Sequence, residues 1–188
     1  NSYICKLIKP KQTMNEIIKK NGITFGIITG VLSVLITTSI YIVDLSLMTK
    51  WWLGILILVV YIIIGCVLLV KTKKDLGGYM SFKEGFTTYF VSALIGIAIS
   101  VVYNILLFNV IDPEAAIRLK ELTLESTVQM LEKFGTPTSA IKETVDKMKD
   151  YNQFSAIEQA KGSIWSIVGS AIFGAILAAI FKKDKPVF

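Results

Sequence analysis

The sequence predicts an all-α membrane protein: four transmembrane helices, with an extracytoplasmic amphipathic helical hairpin between the third and fourth. Three observations predict this. Apolar residues make up 53% of the chain and fall in blocks of about twenty, the length that crosses a bilayer core. None of the four blocks contains a charged residue. The one long polar stretch, residues 112–162, carries helix-start signals and apolar residues at helical spacing. The organisation that follows is a cytoplasmic N-terminal segment (1–22), three spans with short loops (23–111), the hairpin (112–162), a fourth span (163–181) and a cytoplasmic tail (182–188).

The chain opens with five lysines, Lys6, Lys9, Lys11, Lys19 and Lys20, ahead of a full-length apolar run. That is not the shape of a cleaved signal peptide, so the first span is expected to stay in the mature protein. Met14 begins a natural-looking start, and the residues before it read as an extension. The first span covers about Ile23 to Val43, the second Trp51 to Val70, the third Phe86 to Ile111 and the fourth Ser163 to Phe181. The second holds fourteen Leu, Ile or Val residues, each worth about −0.3 to −0.6 kcal/mol near a helix centre, so it inserts without help. The fourth is diluted by serine, glycine and alanine and needs neighbours.

Small residues at four-residue spacing line one helix face and let two backbones approach closely. Such ladders are Gly22, Gly26 and Gly30 in the first span, Ser92, Gly96 and Ser100 in the third, continued by Asn104, and Gly162, Ser166, Ser170, Gly174 and Ala178 in the fourth. These three helices are expected to form the packed centre. The second, offering only Gly54, Gly65 and Cys66, is expected to face lipid. A lined path is the other reading of the ladders, with Thr29, Ser33, Thr37, Ser92, Ser100, Asn104, Ser166 and Ser170 available to build it. Serine and threonine hydroxyls, however, readily bond their own helix.

Ser81 and Glu84 have the spacing of a capping box, which starts the third helix near Phe82 behind the Gly77-Gly78 turn. Asp112-Pro113 is an N-cap followed by proline at the first helical position, and Gly135 stops that helix. Thr136-Pro137 repeats the signal, and Ile141, Val145 and Met148 follow at helical spacing. The first hairpin helix is then longer than the second. Ile117, Leu119, Leu122, Met130 and Phe134 are expected to expose more apolar surface than the second helix covers, which makes them a candidate interaction surface. Ser155 and Glu158 repeat the capping-box spacing, so a helix starts there and runs into the fourth span.

Lysine and arginine number five before the first span, one in the first connection, four in Lys71–Gly85 and three after the last span. The positive-inside rule then places both termini in the cytoplasm and residues 112–162 outside. Tyr41, Trp51, Trp52 and Trp165 mark the outer boundary and Phe25, Tyr79, Phe82, Phe86 and Phe181 the inner one. The net charge of +6 is accounted for by these flanking lysines, and nucleic acid is not an expected partner. The chain has no histidine, and its two cysteines, Cys5 and Cys66, lie far apart in sequence; no metal site, cofactor or catalytic residue is assigned. Glu121 and Glu125, one turn apart on a helix surface, read as a solvated face.

The Ser81-Phe82-Lys83-Glu84-Gly85-Phe86 start of the third span, the acidic and lysine-rich hairpin, and a glycine-containing last span closing on Lys182-Lys183 resemble a known family. It is the group of four-helix membrane proteins of Bacteroidota known as domain of unknown function four-one-nine-nine, and the likeness covers about Met14 to Lys185. The resemblance implies a bacterial inner-membrane protein and brings no activity with it. The functional expectation is a non-enzymatic accessory or scaffolding subunit, embedded in the lipid bilayer. It would meet a membrane protein partner or a second copy of itself through the hairpin and the small-residue faces. The alternative is a small transporter or lipid-handling protein, favoured by a cavity reaching Ser100, Asn104 and Ser170.

Overall fold

Long apolar stretches without internal proline have one way to satisfy their backbone in lipid, which is to remain helical. The computed structural model describes residues 14–184, and within them the chain is all-helical apart from a single backbone bridge. Residues 1–13, with Cys5, and residues 185–188 lie outside the described residues. Four helices are long and apolar enough to cross a membrane: Asn15–Val43, Trp51–Asp75, Phe82–Ile111 and Ala156–Phe181. Two further helices lie between the third and fourth. In order, the elements are α1 (Met14–Val43), a 3-10 turn (Leu45–Thr49), α2 (Trp51–Asp75), α3 (Phe82–Leu106) running into a π-helical turn (Leu107–Ile111), α4 (Pro113–Lys133), α5 (Thr138–Asp150) and α6 (Ala156–Phe181).

Helix ends follow local chemistry. The Ser81 hydroxyl accepts from the Glu84 backbone N–H, and the Glu84 carboxylate accepts from the Ser81 N–H at 2.7 Å, a complete capping box at the start of α3. Gly77 and Gly135 have φ of +85° and +70°, and both close a helix. At α4 the Gly135 N–H donates to Glu132 O and the Thr136 N–H to Leu131 O, the paired bonds that satisfy the last carbonyls. This corrects the expected cap at Thr136. Because Thr136 completes the end of α4, α5 begins at Thr138 with Pro137 as an N-cap that makes no side-chain bond. Ser155 caps α6 by accepting from Glu158 N–H, while the Glu158 carboxylate accepts from Lys161 and Tyr151.

α3 is the axis of the bundle, with α1 on one side and α6 on the other. The three helices expected at the packed centre are the ones that pack most extensively, α1 and α6 each against α3. α2 is not simply peripheral. Its buried residues, Gly65, Leu68, Leu69 and Thr72, all lie in its C-terminal half, whereas Gly54 has open space around it.

At one end of the bundle the start of α1, the α2–α3 connection and the end of α6 meet. Asn21, buried, donates to Thr72 Oγ1 at 3.2 Å and to Asp75 Oδ2 at 2.9 Å. Met80 and Lys183 exchange backbone bonds of 2.9 and 2.8 Å, and Lys73 Nζ donates to Phe181 O. At the opposite end α4 lies on the bundle. Ala115 and Leu119 are buried against Leu107 and Phe108, with Tyr41, Leu45, Met48 and Phe154 around them. Further along α4, Ser126 Oγ approaches Thr49 O at 3.5 Å. α5 returns antiparallel to α4, with Lys120 Nζ donating to Lys149 O.

Candidate functional site

The glycine ladders determine how the spans meet. A Cβ on Gly26 would stand 2.7 Å from Ile95 Cβ and 2.9 Å from Ser92 O; on Gly30, 2.6 Å from Ile99 Cδ1; on Gly22, 3.0 Å from Val91 Cγ1. On Gly96 it would meet Thr29 Oγ1 at 2.5 Å. α1 and α3 thus touch backbone to side chain along three turns, as small-residue faces allow. Across α3, the Tyr89 ring fills a slot between two glycines: a Cβ on Gly174 would lie 2.5 Å from its Cδ1 and one on Gly65 2.8 Å from its Cε2. Ala178 is fully buried, and a Cβ on Gly85 of α3 would stand 3.4 Å from its Cβ. The remaining ladder positions of α6 differ, since Gly162 has nothing within 4 Å and Ser166 is exposed.

This difference opens a crevice. α2 and α6 hold Tyr89 at one level, then part, leaving a cavity of about 570 Å³ among all four spans. Thr29, Ser33 and Thr37 line it from α1, Ser92 and Ser100 from α3, Ser166 and Ser170 from α6, and aliphatic residues with Tyr61 from α2. On α2 the lining runs from Ile57 to Leu68, about 16 Å by helical rise, within a core of about 30 Å. Leu58, Ser166 and Phe173 at its rim are exposed, so it opens sideways between α2 and α6.

Five of the nine lining hydroxyls are engaged. Ser33 donates to Ser100 Oγ across the α1–α3 interface at 2.8 Å; Thr29, Ser166 and Ser170 donate to carbonyls of their own helices. By contrast, the hydroxyls of Thr37, Ser92, Tyr61 and Tyr89 bond no described residue. No buried side-chain polar atom among the described residues lacks a partner, so these four hydroxyls are accessible from the open cavity and are the chemically unspent groups of the site. Asn104, expected beside Ser100 in such a cavity, does not line it. Its amide folds back to donate to Ser100 O at 2.8 Å, the ordinary behaviour of a short polar side chain in a helix.

The lining missed from the sequence includes Tyr61, Tyr89, Gly169 and Phe173. Tyr61 carried a signal, as the one hydroxyl-bearing residue in the second apolar block. Gly169 stands one residue off the small-residue ladder of α6, and a Cβ there would meet nothing within 4 Å.

The hairpin residues separate. Ile117, Met130 and Phe134 are exposed, at 61%, 50% and 81%, and Leu122 is half-buried. Leu119 is 2% exposed and leaves the proposed interaction surface: the face it shares with Ala115 is the one α4 lays on the bundle end. Asp112 anchors that docking. Its carboxylate accepts from the Ala115 backbone N–H at 2.9 Å and from the Tyr41 hydroxyl at 2.8 Å. The Ala115 N–H first, then Tyr41, hold the carboxyl below the usual carboxylate range. Among the described residues no group of three or more His, Cys, Asp or Glu side chains is placed to hold a metal.

The chain matches, over residues 24–183, the family described as protein of unknown function (DUF4199). It belongs to that family of multi-helix bacterial membrane proteins, and it is a multi-pass helical membrane protein. No curated protein and no solved structure matches it.

Proposed function

We propose that this protein binds an uncharged amphiphile in the crevice between α2 and α6, and acts as a lipid-handling membrane protein by binding and not by catalysis. The observation that carries this reading is the set of four unspent hydroxyls, Thr37, Ser92, Tyr61 and Tyr89, in an otherwise apolar cavity that opens toward lipid. Its size falls within the roughly 300–1,000 Å³ of small-molecule sites. The lining carries no charged side chain, and an ionised headgroup moved into low dielectric without a partner would be penalised heavily. A hydroxyl, ester or amide on a hydrocarbon chain fits both halves of the site.

In this reading the lysine-rich end faces the cytoplasm of a bacterial inner membrane, as the positive-inside rule favours. The α4–α5 hairpin then lies on the extracytoplasmic side. The test is labelling with a diacylglycerol that carries a photoreactive group in one acyl chain, in vesicles, with adducts mapped by mass spectrometry. Labelling of the Ile57–Leu68 and Ser166–Phe173 segments, competed by unlabelled diacylglycerol and not by phosphatidylglycerol, supports the proposal. Adducts spread evenly over lipid-facing residues contradict it.

A second reading, the accessory subunit that meets a protein partner or another copy of itself, is favoured by Ile117. It stays 61% exposed at a groove of about 260 Å³ shared with Leu124 and Met148.

A further inference from the structure

α4 is pinned at two separated points on one end of the bundle. Near its start, Ala115 and Leu119 are buried on Leu107 and Phe108 at the end of α3. Ser126 then reaches Thr49, two residues before Trp51 opens α2. A helix that touches the end of α3 and then the start of α2 runs across the ends of the spans, along the plane of the membrane. Its last two turns, through Phe134, continue about 12 Å beyond Ser126.

Leu122, Ser126, Met130 and Phe134 follow at four-residue steps and so form one slowly turning row. The row begins on the side that meets the bundle and ends beyond it. Met130 is 50% and Phe134 81% exposed, as are Trp51 at 77% and Trp52 at 48% at the nearby start of α2. Lys133, also exposed, flanks the row at its end, where a long cationic side chain would reach lipid phosphate.

We propose that the end of α4 is an interfacial anchor, with Met130 and Phe134 seated in the headgroup–acyl boundary beside the Trp51–Trp52 belt. The occupant of this face is the bilayer surface that already surrounds the spans. Amphipathic segments lying in that plane bury an apolar face by about 5–10 Å, and tryptophan marks the same depth. Anchoring both the bundle end and the overhang would hold α4 and the α5 it carries flat against the membrane.

The test uses the full chain with Cys5→Ser and Cys66→Ala, carrying Phe134→Cys, Met130→Cys or Lys142→Cys, the last on the exposed face of α5. Each cysteine is labelled with a polarity-sensitive nitrobenzoxadiazole dye in phosphatidylcholine–phosphatidylglycerol vesicles at low protein density, with nitroxide-labelled lipid as quencher. The expected result is quenching several-fold stronger at 134 and 130 than at 142. Equal, weak quenching at all three sites overturns the anchor. So does protection at 134 that appears only as protein density rises, which assigns the face to a second copy of the chain.

Discussion

Thr29 of α1 occupies the space that a side chain at Gly96 of α3 would need: a Cβ there would stand 2.5 Å from Thr29 Oγ1. Thr29 itself donates to Gly26 O at 3.0 Å, so the threonine is held in place by the neighbouring glycine turn. The ladders of α1 and α3 are thus one interface, and it positions the hydroxyls of Thr37 and Ser92 on the crevice wall.

The backbone contact makes Gly26→Ala the sharper perturbation, because its new methyl would meet Ser92 O at 2.9 Å as well as Ile95 Cβ. Overpacking of this kind costs about 1–3 kcal/mol. Gly162→Ala, with nothing within 4 Å, is expected to be neutral or to gain up to about 1 kcal/mol from helix propensity. Thermal unfolding of both variants in the same detergent checks the contrast; equal midpoints would remove the ladder from the account of α1–α3 packing.

Leu119 and Ile117 sit two residues apart on α4 with opposite surroundings, 2% and 61% exposed. Leu119→Ala is expected to cost about 2–5 kcal/mol, as cavity-forming substitutions do, and to loosen α4 from the bundle end. Ile117→Ala should change stability by less than about 0.5 kcal/mol. Hydrogen exchange over residues 113–126 distinguishes them, with protection lost only in the first variant.

Asp112 makes that docking pH-dependent. Its folded-state pKa is lowered, chiefly by the Ala115 N–H, so the stabilisation is fully present above the unfolded value of about 3.9. It is lost as pH falls through the lower folded value. Protection factors for residues 114–117 should therefore drop on acidification from pH 5 to pH 2.5. In Asp112→Asn, which can still cap the helix, they should change little. A flat wild-type profile would contradict the assignment.

What was legible in the sequence was what neighbours along the chain decide. Ser81 with Glu84, Asp112 with Pro113 and Gly135 all act within one helical turn, and the four spans follow from apolar length. Which apolar face of α4 meets the bundle is decided by where α3 and the 3-10 turn at Leu45–Thr49 end in space, and this reversed the expectation for Leu119. Thr136 had the chemistry of a cap and was used instead to finish the preceding helix. The crevice was half legible: the hydroxyl faces of α1, α3 and α6 were visible as periodicity. That α2 closes on Tyr89 through Gly65 and then departs depends on the shape of packed side chains across three helices, which no single-helix pattern carries.

The claim that a lipid-like ligand occupies the crevice is tested most directly by filling it. Gly169 lines the cavity and has open space where a side chain would stand; Gly54 has open space on the exposed surface of α2. Photolabelling by the acyl-diazirine diacylglycerol is to be compared for the wild type, Gly169→Phe and Gly54→Phe, each verified to unfold at the same temperature. The account predicts that Gly169→Phe loses most of the labelling at Ile57–Leu68 and Ser166–Phe173 while Gly54→Phe keeps it. Undiminished labelling in Gly169→Phe would contradict it.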